Sequence, residues 1–188
     1  FDMQHYIRLK RKEEILKHIY WAINHDFEGF ELYYQPIIDI NTKSIITLEA
    51  LLRLKMKDEY IQPKEFISLL EQTHLILPVG RWVLKTAMES WKELQQLIPG
   101  LKMNVNMSFV QVNQNNSVQM IIDIIKEIDT TLLGIEITET GELNSNQYYN
   151  FCIGLEKGKR ALILDDYGSG FSNVHRLTAA KPQYIKID

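Results

Sequence analysis

Apolar and polar positions along the chain switch between a period of two and a period near 3.6. FELYYQPII (30–38) and SIITLEALLRL (44–54) carry the β-branched and aromatic residues of strands, with a turn at NTK between them. PKEFISLLEQ (63–72) opens on a proline suited to a first helical turn. LPVGRWVLKTAMESWKELQQLI (77–98) predicts a long amphipathic helix stopped by Pro99-Gly100. Strand and helix then alternate: LKMNVNMS, SVQMIIDIIKEI, LLGIEITET, NSNQYYNFCIGLEKG, ALILDD, SNVHRLTAA and finally YIKID. Upstream, Ile15, Ile19, Ala22 and Ile23 recur at helical spacing behind a charged start, which predicts a linker and leading helix over 1–28. Strands alternating with helices predict parallel βα units over 29–188.

One regularity outweighs any single segment. Asn106, Glu136 and Asp165 each fall near the C-terminal end of a predicted strand and recur 30 and 29 residues apart (136 − 106 and 165 − 136). A βαβ unit takes about 30 residues or more. Glu49 stands two helical segments before Asn106, and Lys186 one short helix after Asp165. If the strands are parallel neighbours, these side chains meet at one rim, the end of a βα barrel where active sites lie. Gathered acids repel and must be desolvated, so packing alone gives no reason for them.

Composition narrows the classes. The 188 residues are 45% hydrophobic and 24% charged, enough for one well-buried domain. A net charge of −3 advertises no duplex nucleic acid or membrane surface as a partner. One cysteine, Cys152, excludes an internal disulfide and suits a reducing, cytoplasmic compartment; it reads as a core thiol. The five histidines show no HExxH spacing, and no apolar run approaches the ~20 residues of a membrane span. A full-length protein could still be tethered to a membrane. The chain opens on Phe1, which reads as a piece of something longer.

Glu49, Asn106, Glu136, Asp165 and Asp166 offer only hard oxygen donors, a set that suits Mg²⁺ or Mn²⁺. Adjacent aspartates at a strand end can hold two cations with one carboxylate bridging, the arrangement of metal-assisted phosphoryl displacement. Lys186 could neutralise a phosphate or orient water, and Arg53 could grip a phosphate oxygen. Plainer readings stand beside these. Asp165-Asp166 could cap a following helix, Asn104 and Asn106 could shape turns, and Glu49, Glu136, Arg53 and Lys186 could be solvated strand ends.

With those residues in place, the chain resembles the EAL domain, the cyclic di-GMP phosphodiesterase family. YYQPI (33–37), EALLR (49–53), RWVL (81–84), VNMSFVQ (105–111), EITET (136–140), DDYGSG (165–170) and KID (186–188) follow the family's motifs in order. The resemblance implies a TIM-like (β/α) barrel that linearises cyclic di-GMP to pGpG with Mg²⁺ or Mn²⁺ at a two-metal site. It implies that Glu49, Asn106, Glu136 and Asp165 ligate metal, that Asp166 serves the second metal, and that Lys186 positions water and phosphate. Gln35 resembles a guanine contact and Arg53 a phosphate contact. Glu139 is similar to a glutamate that braces the DDYGSG loop, where Gly168 and Gly170 allow the bend. Asp188 resembles a frequently present acid.

The family's aromatic and His-Pro pair after EALLR is replaced here by LKMKDE, and its Leu-Pro before the last strand by Lys181-Pro182. A TIM-like barrel takes about 250 residues and eight strands. The family's later strands bring a further glutamate and a substrate-binding glutamine, so the chain is expected to lack its last strands and to be inactive by itself. The charged start resembles a linker from an upstream GGDEF or sensor domain, and family members also pair through the barrel, which allows a homodimer. The competing reading is an EAL-like receptor that binds cyclic di-GMP, or a partner protein, without cleaving it.

Overall fold

A computed structural model describes residues 3–125, 130–138, 145–167 and 182–187. The predicted SNVHRLTAA helix, Glu139, Gly168, Gly170 and Asp188 lie outside the described residues. Strands β1 (Phe30–Ile38), β2 (Ile45–Met56), β3 (Glu59–Ile61), β4 (Lys102–Asn106), β5 (Leu133–Thr138), β6 (Ala161–Tyr167) and β7 (Tyr184–Ile187) form one sheet. Its order is β1-β2-β4-β5-β6-β7, with β3 pairing β2. From β2 onward the path β2-β4-β5-β6-β7 is parallel throughout, as the alternating pattern predicts. The helices α1 (Met3–Asn24), α2 (Pro63–Gln72), α3 (Ile76–Leu97), α4 (Phe109–Val112), α5 (Ser117–Ile124) and α6 (Ser145–Lys157) lie between or before the strands.

Three features fill out the pattern read from sequence. First, β1 runs antiparallel to β2 as the hairpin that the NTK turn marks, so the parallel units begin at β2. Its turn is shaped by Asp39, whose carboxylate accepts from the amides of Asn41 at 2.9 Å and Thr42 at 2.7 Å, while Lys43 takes φ 57°. Second, the charged start is helical from Met3 onward. Its Lys, Arg and Glu are good helix formers, Glu13 and Lys17 pair at 2.6 Å across one turn, and Arg11 reaches Glu59 at 2.9 Å. Third, β3 and α4 are too short to show as a period. α4 is set by Ser108, whose hydroxyl accepts from the Val110 amide at 3.2 Å while the Gln111 carbonyl oxygen accepts from the Ser108 amide at 3.1 Å.

The core lies between the sheet and its helices. Leu54, Ile61, Phe66 and Leu70 join β2, β3 and α2, and Val79, Ala87 and Met103 join α3 to β4. Each large side chain so buried stabilises the fold by about 1.5–3 kcal/mol. Ile15, Ile19 and Ala22 fix α1 to the same core, the spacing that marked them in sequence. At the α3–β4 corner, Gly100 takes φ 82°, and the Leu101 carbonyl accepts from the Trp91 indole at 2.7 Å and from Gln95. That corner sets where β4 enters the sheet, and so where its two asparagines stand.

Candidate metal centre

Register shows why four separate strands present polar groups to one place. Glu49 on β2 is opposite Asn104 on β4, Asn106 is opposite Glu136 on β5, and Asp165 on β6 is opposite Thr138 of β5. Every step from one site residue to the next strand's is an even number of positions, so Glu49, Asn104, Asn106, Glu136 and Asp165 share one sheet face. The climb of two residues at successive strands is the stagger of strands tilted in a barrel.

The side chains converge. One carboxylate oxygen from each of Glu49, Glu136 and Asp165 lies within 4.8 Å of the others. Lys186 on β7 reaches all three, at 2.6 Å to Glu49, 2.8 Å to Glu136 and 3.4 Å to Asp165. Asn106 donates Nδ2 to Glu49 at 2.9 Å, and Asn104 donates Nδ2 to Glu136 at 2.8 Å. Glu136 is fully buried and Glu49 is 8% exposed. Burial pushes the Glu136 carboxyl up to about 7, the effect of nearby Glu49 adding to it and the Lys186 and Asn104 bonds opposing it. For Lys186, burial works to lower the pKa, but the bonds to Glu136 and Glu49 outweigh it and hold the ammonium firmly protonated.

Three carboxylates this close need a cation. Here the Lys186 ammonium supplies one positive charge among three acids, and the donors around it are all hard oxygens. The buried acidic triad could therefore hold a metal ion, with the Asn106 amide bonded to Glu49 at its edge.

The other site residues fall around this centre. Asp166 does not enter the triad: an irregular register between Leu164 and Tyr167 puts it at φ 54° and exposed. Gln35 is exposed on β1 directly opposite Glu49. Arg53, four residues along β2 from Glu49, lines a cavity of about 720 Å³ with Asn106, Ser108 and Gln111. Asn104, for which the sequence left a turn role open, is a buried brace for Glu136. Its place two residues before Asn106 on one strand was the available signal. Gly134 makes room for it, since a Cβ there would run into the Asn104 side chain and come within 2.7 Å of Ile163.

The chain belongs to the EAL domain family, whose profile matches residues 22–188. It is 34% identical over 187 residues to the probable cyclic di-GMP phosphodiesterase PdeI of Escherichia coli, covering 93% of this chain and 24% of that protein. It is 29% identical over 165 residues to the cyclic di-GMP phosphodiesterase PA2567 of Pseudomonas aeruginosa, covering 86% and 28%. The structure of the EAL enzyme Bd1971 with cAMP and cyclic di-GMP bound superposes with a TM-score of 0.84 at 24% identity, covering all of this chain and 51% of that one. The sheet is thus part of a TIM-like barrel, and the chain spans about a quarter of the length of these curated relatives. No described helix is long and apolar enough to cross a membrane.

Proposed function

We propose that this domain hydrolyses cyclic di-GMP to linear pGpG in bacterial second-messenger signalling, using Mg²⁺ or Mn²⁺ at a two-metal site. The observation that carries the reading is the convergence of Glu49, Glu136 and Asp165 on the Lys186 ammonium, with Asn106 bonded to Glu49. Relatives that match most of this chain are named cyclic di-GMP phosphodiesterases.

Glu49, Asn106, Glu136 and Asp165 would hold the metal, with Asp166 serving a second ion. When bound, such ions supply an activated water and stabilise charge on the attacking and leaving oxygens of a phosphodiester. The chain's own groups do the rest. Asn104 fixes the Glu136 carboxylate so that its other oxygen faces the centre. Lys186 brings a positive charge to the rim, where it can pair with a phosphate oxygen once its carboxylates are otherwise engaged. Arg53, in the cavity beside Asn106, binds the phosphodiester, and Gln35 contacts a guanine edge. Glu139, Gly168 and Gly170 keep the supporting role that the family resemblance implies for them. An upstream GGDEF or sensor domain and a homodimer belong to the same reading.

The test is incubation of the full-length protein with cyclic di-GMP and Mg²⁺, with products separated by chromatography. Conversion to pGpG that disappears in Asp165→Asn is the expected result. Tight binding without turnover by the unaltered protein would overturn the enzyme reading in favour of a receptor.

A further inference from the structure

Glu31 and Arg53 stand directly opposite each other on β1 and β2, on the sheet face that carries Glu49. Opposite charges so placed ordinarily pair. Here they do not. The Glu31 carboxylate accepts from the Tyr60 hydroxyl at 2.8 Å, and the Tyr60 oxygen accepts from the Tyr33 hydroxyl at 3.0 Å. Arg53 instead donates Nη1 to the Leu52 carbonyl at 2.9 Å and lays its guanidinium 5.4 Å from the centroid of the Tyr33 ring. Among the described residues it has no carboxylate partner.

The arrangement is built across strands. Tyr33 lies on β1 and Tyr60 on β3, which pair with opposite edges of β2, so the hydroxyl bridge straddles β2 beside Arg53. The two rings meet edge to face at 6.0 Å and 71°. Bonds to Tyr33 and then Glu31 raise the Tyr60 pKa, so its hydroxyl stays a donor at neutral pH. Tyr33, Arg53, Tyr60 and Pro63 line a cleft of about 300 Å³, and Arg53 and Pro63 also line the larger cavity that reaches Asn106.

We propose that Tyr60, steadied by Tyr33, is a positioning residue that engages the Glu31 carboxylate and thereby keeps Arg53 available to an anionic group of the substrate, a phosphodiester. This rests on the phosphodiesterase reading for the identity of the anion, but the decoupling of Arg53 from Glu31 does not. Removing one hydroxyl, in Tyr60→Phe, frees the carboxylate to capture the guanidinium.

The test uses Tyr60→Phe, Glu31→Gln and the double variant of the full-length protein, with steady-state kinetics on cyclic di-GMP and a crystal structure of Tyr60→Phe. Tyr60→Phe is expected to raise KM about fivefold with kcat unchanged, the scale of one competing exposed ion pair. Glu31→Gln alone is expected to keep the original KM, and Glu31→Gln in the Tyr60→Phe background to restore it. The crystal structure is expected to show Arg53 within about 4 Å of Glu31. A KM rise that persists in the double variant, or no rise at all, overturns the proposal. If the unaltered protein neither binds nor cleaves cyclic di-GMP, the functional reading fails. The Arg53–Glu31 distance in Tyr60→Phe then decides the decoupling: closure upholds it, and continued separation overturns it.

Discussion

Lys186→Met removes the positive charge that, among the described residues, balances Glu49, Glu136 and Asp165, and the geometry sets its cost. Carboxylates 4.8 Å apart repel by about 3.5 kcal/mol per pair at an effective dielectric constant near 20. The cluster relieves part of this by holding the Glu136 carboxyl up at about 7, so that it takes up a proton as the pH falls through neutrality. Removing one partner of a buried pair costs about 3–5 kcal/mol. Because the Lys186 side chain is 31% exposed, solvent screening reduces these figures, and we expect a loss of about 2 kcal/mol in chelator. For a domain of this size that is about 4–8 °C in melting temperature. Mg²⁺ should then stabilise Lys186→Met more than the unaltered protein, because the ammonium no longer competes for the same oxygens. The assay is thermal unfolding of both proteins in EDTA and across a Mg²⁺ series. Equal stability in EDTA together with equal responses to Mg²⁺ would refute the claim that the ammonium stands where a cation binds.

Asn104→Ala should weaken Mn²⁺ binding about 10- to 100-fold by titration calorimetry, since Glu136 loses the brace that orients it. Gly134→Ala should cost about 1–3 kcal/mol in urea unfolding, because its new Cβ meets the Asn104 and Ile163 side chains in a packed sheet. Burial pushes the Cys152 thiol up to about 11, so the folded protein should resist iodoacetamide at pH 8 and react once unfolded in urea, as read by mass spectrometry. Asp165→Asn should lower turnover by more than about a hundredfold, beyond what the loss of a merely supporting group costs.

The parts legible in sequence were those written as local period. α2 runs over Pro63–Gln72 and β1 over Phe30–Ile38, the bounds that the proline and the strand-formers mark. The recurrence of Asn106, Glu136 and Asp165 could be read as a rim because parallel units fix strand spacing, and the register brings Glu136 and Asp165 together with Glu49. Asn104 was passed over although it shares Asn106's face, because an asparagine near a strand end reads equally well as a turn. The Ser108–Gln111 cap was visible as S-x-x-Q, but four residues of helix carry no period. The charged start of α1 hid a helix, since its stability comes from ion pairs and from Ile15 and Ile19 farther on. What sequence could not offer was the Tyr33–Tyr60–Glu31 bridge, which joins residues 27 and 29 positions apart through three strands.

Oxygen donors from β2, β4, β5 and β6 are expected to enclose a divalent cation. A crystal structure grown with Mn²⁺ and measured near the manganese absorption edge tests this enclosure. An anomalous peak should stand among Glu49, Asn106, Glu136 and Asp165, with the Lys186 ammonium moved off the three carboxylates. No peak there, with Lys186 still bonded to Glu49 and Glu136, would contradict it.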